Sequence, residues 1–167
     1  LPVVAGGPLF TAEHEQFPSV DHFVLNEAEL TLAPFLADFA AGHAQRVYAT
    51  DQFADMHTSP VPRWDLADRN QYATLSIQFS RGCPFDCEFC NITALFGRRP
   101  RVKSVGQVIA ELDLLYESGW RSNVFFVDDN LIGNRRYLKE ELLPGIIAWR
   151  KDKSGMPFNT EASINLA

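Results

Sequence analysis

Three thiols stand within eight positions: Cys83, Cys87 and Cys90, in the stretch SRGCPFDCEFCNIT (80–93). The 167-residue chain has no other cysteine. An odd number of clustered cysteines cannot build a disulfide framework. Their spacing suits a single metal centre in a reducing compartment. A structural zinc site takes four ligands, commonly as two pairs from separate knuckles. No second pair exists here, and His57 lies far upstream. An electron-transfer 4Fe–4S cluster is generally held by four cysteines. Three thiolates would leave one iron without a protein ligand, and an iron with an open position can bind a substrate or cofactor. The plainer alternative is three structural cysteines, but those normally scatter as small core hydrophobes.

Elements must position this loop. YATLSIQFS (72–80) alternates and is β-rich, a strand running directly into the cysteines. SVGQVIAELDLLYESG (104–119) reads as a helix. Ser104 and Gln107 form a capping box, Val105, Val108, Ile109, Leu112 and Leu115 make the apolar face, and Gly119 ends it. NVFFVDDN (123–130) is apolar until two aspartates, as expected of a buried parallel strand with polar groups at its C-terminal end. Residues 134–152 read as a helix broken or kinked at Pro144, and 156–167 begin another strand. From residue 72 the order is βαβαβ, a parallel α/β unit. Upstream, a short buried strand is expected to end in a tight turn at Gly6-Gly7-Pro8. SVDHFVL (19–25) reads as a strand. The helix after it, ending at Gly42, would bury Leu32, Phe35, Leu36 and Phe39. The proline-bearing segment 53–66 shows no periodicity. The expected division is 1–52 for the end of a layered α/β domain, 53–71 for a linker and 72–167 for the second domain.

Composition sets the frame. The chain is 46% hydrophobic and 12% aromatic, enough to bury a core. Its net charge of -6 disfavours a general nucleic-acid binder, which needs a basic face. The one basic run, GRRPRVK (97–103), is first a solvated loop and second a contact to an anionic substrate or cofactor carboxylate. No apolar run approaches the roughly 20 residues needed to span a bilayer. A chain opening at Leu1 reads as a fragment or processed product.

C-x3-C-x2-C with an aromatic residue, Phe89, just before the last cysteine resembles the signature of the radical S-adenosylmethionine (SAM) superfamily. The resemblance implies the first half of a partial βα barrel, with the motif on the loop after its first strand. It implies that Cys83, Cys87 and Cys90 hold a 4Fe–4S cluster and that the SAM amino and carboxylate groups chelate the fourth iron. An electron donor then reduces the cluster, the sulfonium C–S bond is cleaved, and a 5′-deoxyadenosyl radical forms. Phe89 would help hold the adenine. Asp128-Asp129-Asn130 stand where the family has a Gly-Gly-Glu-type motif contacting the SAM ammonium, and either aspartate could make that contact or merely cap the next helix. Glu161, Ser163 and Asn165 are candidates for ribose or carboxylate contacts, since alternation puts them on one face.

VVAGGPLFT…VDHFVLNEAE resembles the last portion of a Rossmann-like cobalamin-binding domain that precedes certain radical SAM barrels. The implied cofactor is cobalamin, with Gly6 and Gly7 letting its nucleotide tail approach the backbone; a plain strand-end turn is the alternative. Asn26-Glu27-Ala28-Glu29 replaces a Gly-Glu-x-Glu pattern, and Asn tolerates a left-handed backbone. The expected protein is a cytoplasmic, cobalamin-type radical SAM enzyme that methylates or rearranges an unactivated carbon of a small-molecule or lipid-like substrate. The alternatives are an RNA-modifying, methylthiotransferase-like protein and a non-catalytic iron–sulfur carrier. A half barrel with an exposed edge is expected to self-associate.

Overall fold

The computed structural model describes residues 1–163. It is α/β throughout and divides into two compact units, Leu1–Thr58 and Ser59–Ala167.

In the first unit, β1 (Val4–Gly6), β2 (His22–Val24) and β3 (Val47–Tyr48) form a parallel sheet in that order. The connections are α1 (Pro8–Glu13) and α2 (Ala28–Ala40). β1 ends at Gly6 and the chain bends at Gly7, where φ is 94°, as expected of the Gly6-Gly7-Pro8 stretch. Pro8 opens α1, because a helix's first turn has no use for the N–H that proline lacks. β1 is not the buried strand expected, however: it lies at the sheet edge and Val4 is exposed. The two residues of β3 carry too little periodicity to mark a strand in the sequence.

Helix α2 corrects a second expectation. Of the four residues assigned to its apolar face only Phe35 is buried, while Leu32, Leu36 and Phe39 are 42%, 53% and 42% exposed. Thr31 joins Phe35 on the inner line, its hydroxyl donating to the Leu25 and Glu27 carbonyls at 3.0 and 3.3 Å. A narrow three-stranded sheet accepts one i, i+4 line of the helix and leaves the flanking lines uncovered among the described residues. Asn26 adopts the left-handed backbone that its residue type allows, with φ 60°. Ala54 and Met56 are buried, and the Ala54 N–H donates to the buried Glu27 carboxylate at 2.8 Å.

In the second unit, β4 (Thr74–Ile77), β7 (Asn123–Phe126) and β8 (Phe158–Thr160) form a parallel sheet with β7 central. Between β4 and β7 lie a two-stranded antiparallel ribbon of β5 (Ser80–Arg81) and β6 (Arg101–Val102), the short α3 (Ile92–Phe96), and α4 (Val105–Glu117). The helix α4 carries the expected capping box at Ser104 and Gln107. Gly119 terminates it at φ +86°. Val108, Leu112 and Leu115 pack into a core with Leu75, Ile77, Val124 and Phe126.

The expected helix over 134–152 is realised in three parts. These are α5 (Arg135–Tyr137), a π-helical segment (Leu138–Leu142) and α6 (Leu143–Arg150), with Pro144 in the first turn of α6. Proline cannot supply the N–H that would continue an α-helical ladder, so the chain widens just before it. The strand expected over 156–167 is seen at Phe158–Thr160; Asn165 lies outside the described residues.

Candidate active site

The cysteine loop leaves the C-terminal end of β4 by a break at Gln78 and Phe79, which ends the strand earlier than alternation suggests. The ribbon of β5 and β6 then closes the loop at its base, pairing Ser80 with Val102 and Arg81 with Arg101. Gly82 follows with φ +95°, and a Cβ there would sit 3.0 Å from the carbonyl oxygens of Phe96 and Gly97. Only glycine meets both demands. The Cys83 N–H donates to the Gly97 carbonyl at 3.3 Å and the Cys90 N–H to the Cys87 carbonyl at 2.9 Å. All three thiols are free; Cys87 is exposed and the other two are partly covered.

Asp128, Asp129 and Asn130 follow β7, the neighbour of β4, so they meet the loop at the same sheet end. Asp128 is 3% exposed. Its Oδ1 accepts from the Ser80 backbone N–H and, at 2.6 Å, from the Ser80 hydroxyl, while Oδ2 accepts from the Phe79 N–H at 3.4 Å. Half-buried Asp129 accepts from the Gly82 N–H at 2.7 Å. Buried Asn130 places Nδ2 4.0 Å from the Cys83 sulfur and bonds Ser163, Nδ2 to Oγ at 3.4 Å and Oδ1 to the backbone N–H at 3.3 Å. Burial raises both aspartate carboxyls above the ordinary range. Hydrogen bonds from Ser80 and Phe79 oppose this at Asp128, and the Gly82 N–H with the charges of Arg81 and Arg101 opposes it at Asp129.

Cys83, Asp129, Asn130 and Ser163 are thus brought together by the sheet, with Asp128 beneath them. Two other candidates stand apart. Phe89 is 92% exposed, and the Glu161 side chain is exposed while its carbonyl accepts from Leu131. In the first unit, a Cβ on Gly6 would lie 2.5 Å from the Val24 carbonyl oxygen, so strand pairing alone requires glycine there. Gly7 has φ +94° and open space where a side chain would be. Among the described residues no group of three or more His, Cys, Asp or Glu side chains is already arranged around a point that could hold a metal ion.

The basic run is not simply a solvated loop. Arg98 pairs with Asp86 of the cysteine loop at 3.0 Å on the surface, Arg101 belongs to β6, and Lys103 is buried against Glu111. Nothing in the sequence marks Ser80 and Gly82 as functional positions. Their signal is adjacency to the motif, which carries no meaning until the residues after β7 supply their acceptors.

No protein-family model matches the chain. Over 168 residues, 99% of the chain, it is 44% identical to an uncharacterized methyltransferase of Synechocystis sp., of which it covers 31%. It is 39% identical over 173 residues to the hopanoid C-2 methylase of Rhodopseudomonas palustris, covering 32% of that protein. The chain therefore spans about a third of the length of these curated relatives. The solved structure of the cobalamin-dependent S-adenosylmethionine radical enzyme OxsB, with aqua-cobalamin and S-adenosylmethionine bound, matches 92% of this chain and 25% of its own. The TM-score is 0.69 at 19% identity. The chain is accordingly related in sequence to a segment of named methyltransferases, and its α/β fold is that of one quarter of a cobalamin-dependent radical SAM enzyme.

Proposed function

We propose that this chain is the cofactor-binding part of a radical SAM methyltransferase, in which Cys83, Cys87 and Cys90 hold a 4Fe–4S cluster. The observation that carries the reading is the meeting of the three-thiol loop after β4 with the polar residues after β7. The donor set fits the group: three free thiols on one loop, tied at its base by β5 and β6. When bound and reduced by an external electron donor, the cluster would supply the electron that breaks the sulfonium C–S bond of SAM.

The chain's own residues hold and orient. Gly82 and the Cys83–Gly97 hydrogen bond fix where the first thiol emerges. Asp129 presents a half-buried carboxylate beside the loop, suited to the SAM ammonium, whereas Asp128 has both oxygens already engaged. Asn130 and Ser163 offer polar groups one strand away, for the ribose or carboxylate. Phe89, on the exposed side of the loop, would cover the adenine. For cobalamin, Gly7 leaves open backbone at the end of β1, while Gly6 is accounted for by Val24. The likeness to a hopanoid C-2 methylase supports a small hydrophobic substrate carrying an unactivated carbon. No helix among the described residues is long and apolar enough to cross a membrane.

Anaerobic reconstitution of the full-length protein with iron and sulfide tests the reading. The parent should bind four irons per chain in the manner of a 4Fe–4S cluster and release 5′-deoxyadenosine from SAM. Ala at Cys83, Cys87 or Cys90 should abolish both. Undiminished 5′-deoxyadenosine formation by Cys87→Ala would overturn it.

A further inference from the structure

We propose that Asp128 is a positioning residue that anchors the root of the cysteine loop and makes no contact with SAM. The inference rests on the cluster reading above and assigns a distinct task to one of its candidate residues.

β4 pairs with β7 up to Ile77 and Phe126, and the last ladder hydrogen bond runs from the Val127 N–H to the Ile77 carbonyl at 2.9 Å. The chain then leaves the sheet while still buried, with Phe79 and Ser80 almost fully covered. Their N–H groups have lost the partner strand, and a buried N–H without an acceptor is costly. The Asp128 side chain substitutes for the missing strand. It takes both N–H groups and the Ser80 hydroxyl on its two oxygens. Three donors on one carboxylate oppose the burial that raises its carboxyl.

The neighbours continue the pattern. Asp129 takes the Gly82 N–H, and Asn130 stands next to the Cys83 sulfur. Three consecutive side chains therefore grip three successive points of one strand exit, ending at the first thiol. Asp128 grips the earliest and most buried of them. A carboxamide cannot replace it: with the amide oxygen kept on Ser80, the amide NH2 would face the Phe79 N–H, donor against donor. Asp128 faces away from solvent, so an incoming ammonium could reach it only by breaking those bonds.

The test uses the full-length protein, as parent, Asp128→Asn, Ser80→Ala and Asp129→Asn. Three quantities are measured: amide exchange of the peptide covering Phe79 to Cys83 in the metal-free protein, the rate of iron release to a chelator, and the Kd for SAM per cluster. Asp128→Asn and Ser80→Ala should both speed exchange in that peptide. Both should release iron about 10–100-fold faster, the usual effect of losing a ligand's outer support, with SAM affinity per cluster unchanged. Asp129→Asn should do the reverse, keeping iron and weakening SAM about tenfold or more. A purely structural role would speed amide exchange and leave iron release untouched. That result would overturn the proposal, as would a tenfold loss of SAM affinity in Asp128→Asn. Should Asp128→Asn fail to fold, parent-like exchange and iron release in Ser80→Ala would also overturn it. If the parent takes up no iron, the cluster reading falls, while amide exchange still decides whether Asp128 anchors the strand exit.

Discussion

Lys103 and Glu111 form an ion pair at the far arm of the cysteine loop, 2.5 Å apart and almost wholly buried. The Lys103 N–H donates to the Phe79 carbonyl at 2.8 Å, so one residue ties the returning chain both to the strand exit and to α4. The second oxygen of Glu111 has no hydrogen-bond partner among the described residues. Such a pair stabilises little in net terms, yet removing one partner strands the other charge. Glu111→Ala is therefore expected to lower unfolding free energy by about 3–5 kcal/mol. Replacing both, Lys103→Met with Glu111→Leu, should restore most of that loss, as urea titration of the single and double variants would show. Burial raises the Glu111 carboxyl and Lys103 only partly offsets it. The folded state thus holds this proton more tightly than the unfolded chain. Its contribution to stability falls as pH rises from about 4, the unfolded value, towards the raised folded value. The double variant should lack that slope. Exposed pairs such as Arg136 with Glu140 are expected to contribute about 0–1 kcal/mol.

At the scale of elements, α4 and α6 meet where Gly145 faces Val105. A Cβ on Gly145 would lie 2.4 Å from the Val105 Cγ1. The glycine lets two helices approach closely, and the π-helical turn before Pro144 precedes that approach. Gly145→Ala should gain helix propensity but force the helices apart, with a net cost of about 1–3 kcal/mol. Val105→Ala in the same chain should recover part of it. Thermal melts of the single and double variants check this; a Gly145→Ala protein as stable as the parent would show that the contact relaxes freely. The break between β4 and β5 belongs to this scale too. It converts a strand into a loop root, and side chains just after β7 satisfy the backbone it exposes.

For the molecule as a whole, the chain leaves a large apolar surface in water. Val4 on β1 and Leu32, Leu36 and Phe39 on α2 are exposed, and both three-stranded sheets present edges among the described residues. Exposed apolar lines beside open strand edges favour association. The isolated 167-residue chain, of 18.8 kDa, is expected to self-associate, giving a larger mass in light scattering. Substituting Leu32 and Leu36 by Glu should lower that mass. A monodisperse 18.8 kDa particle would show that these surfaces need no cover.

Local chemistry alone determined much of this protein. The cysteine spacing, the capping box at Ser104 and Gln107, the stop at Gly119, the tolerance of Asn26 for a left-handed turn and the βαβαβ order from residue 72 are all decided within a few neighbouring residues or by a repeating apolar period. Tertiary structure decided the rest, because it depends on which strand lies beside which. Asp128 and Asp129 are identical neighbours in sequence. Only the pairing of β7 with β4 gives one to Phe79 and Ser80, buried, and the other to Gly82, half-exposed. Lys103 looks like the end of a basic loop until β6 folds it over α4 onto Glu111. The apolar residues of α2 suggested a broad buried face, but a sheet of three short strands covers a single line of it. Periodicity reports what a helix could bury, and the neighbouring elements set how much of it they cover.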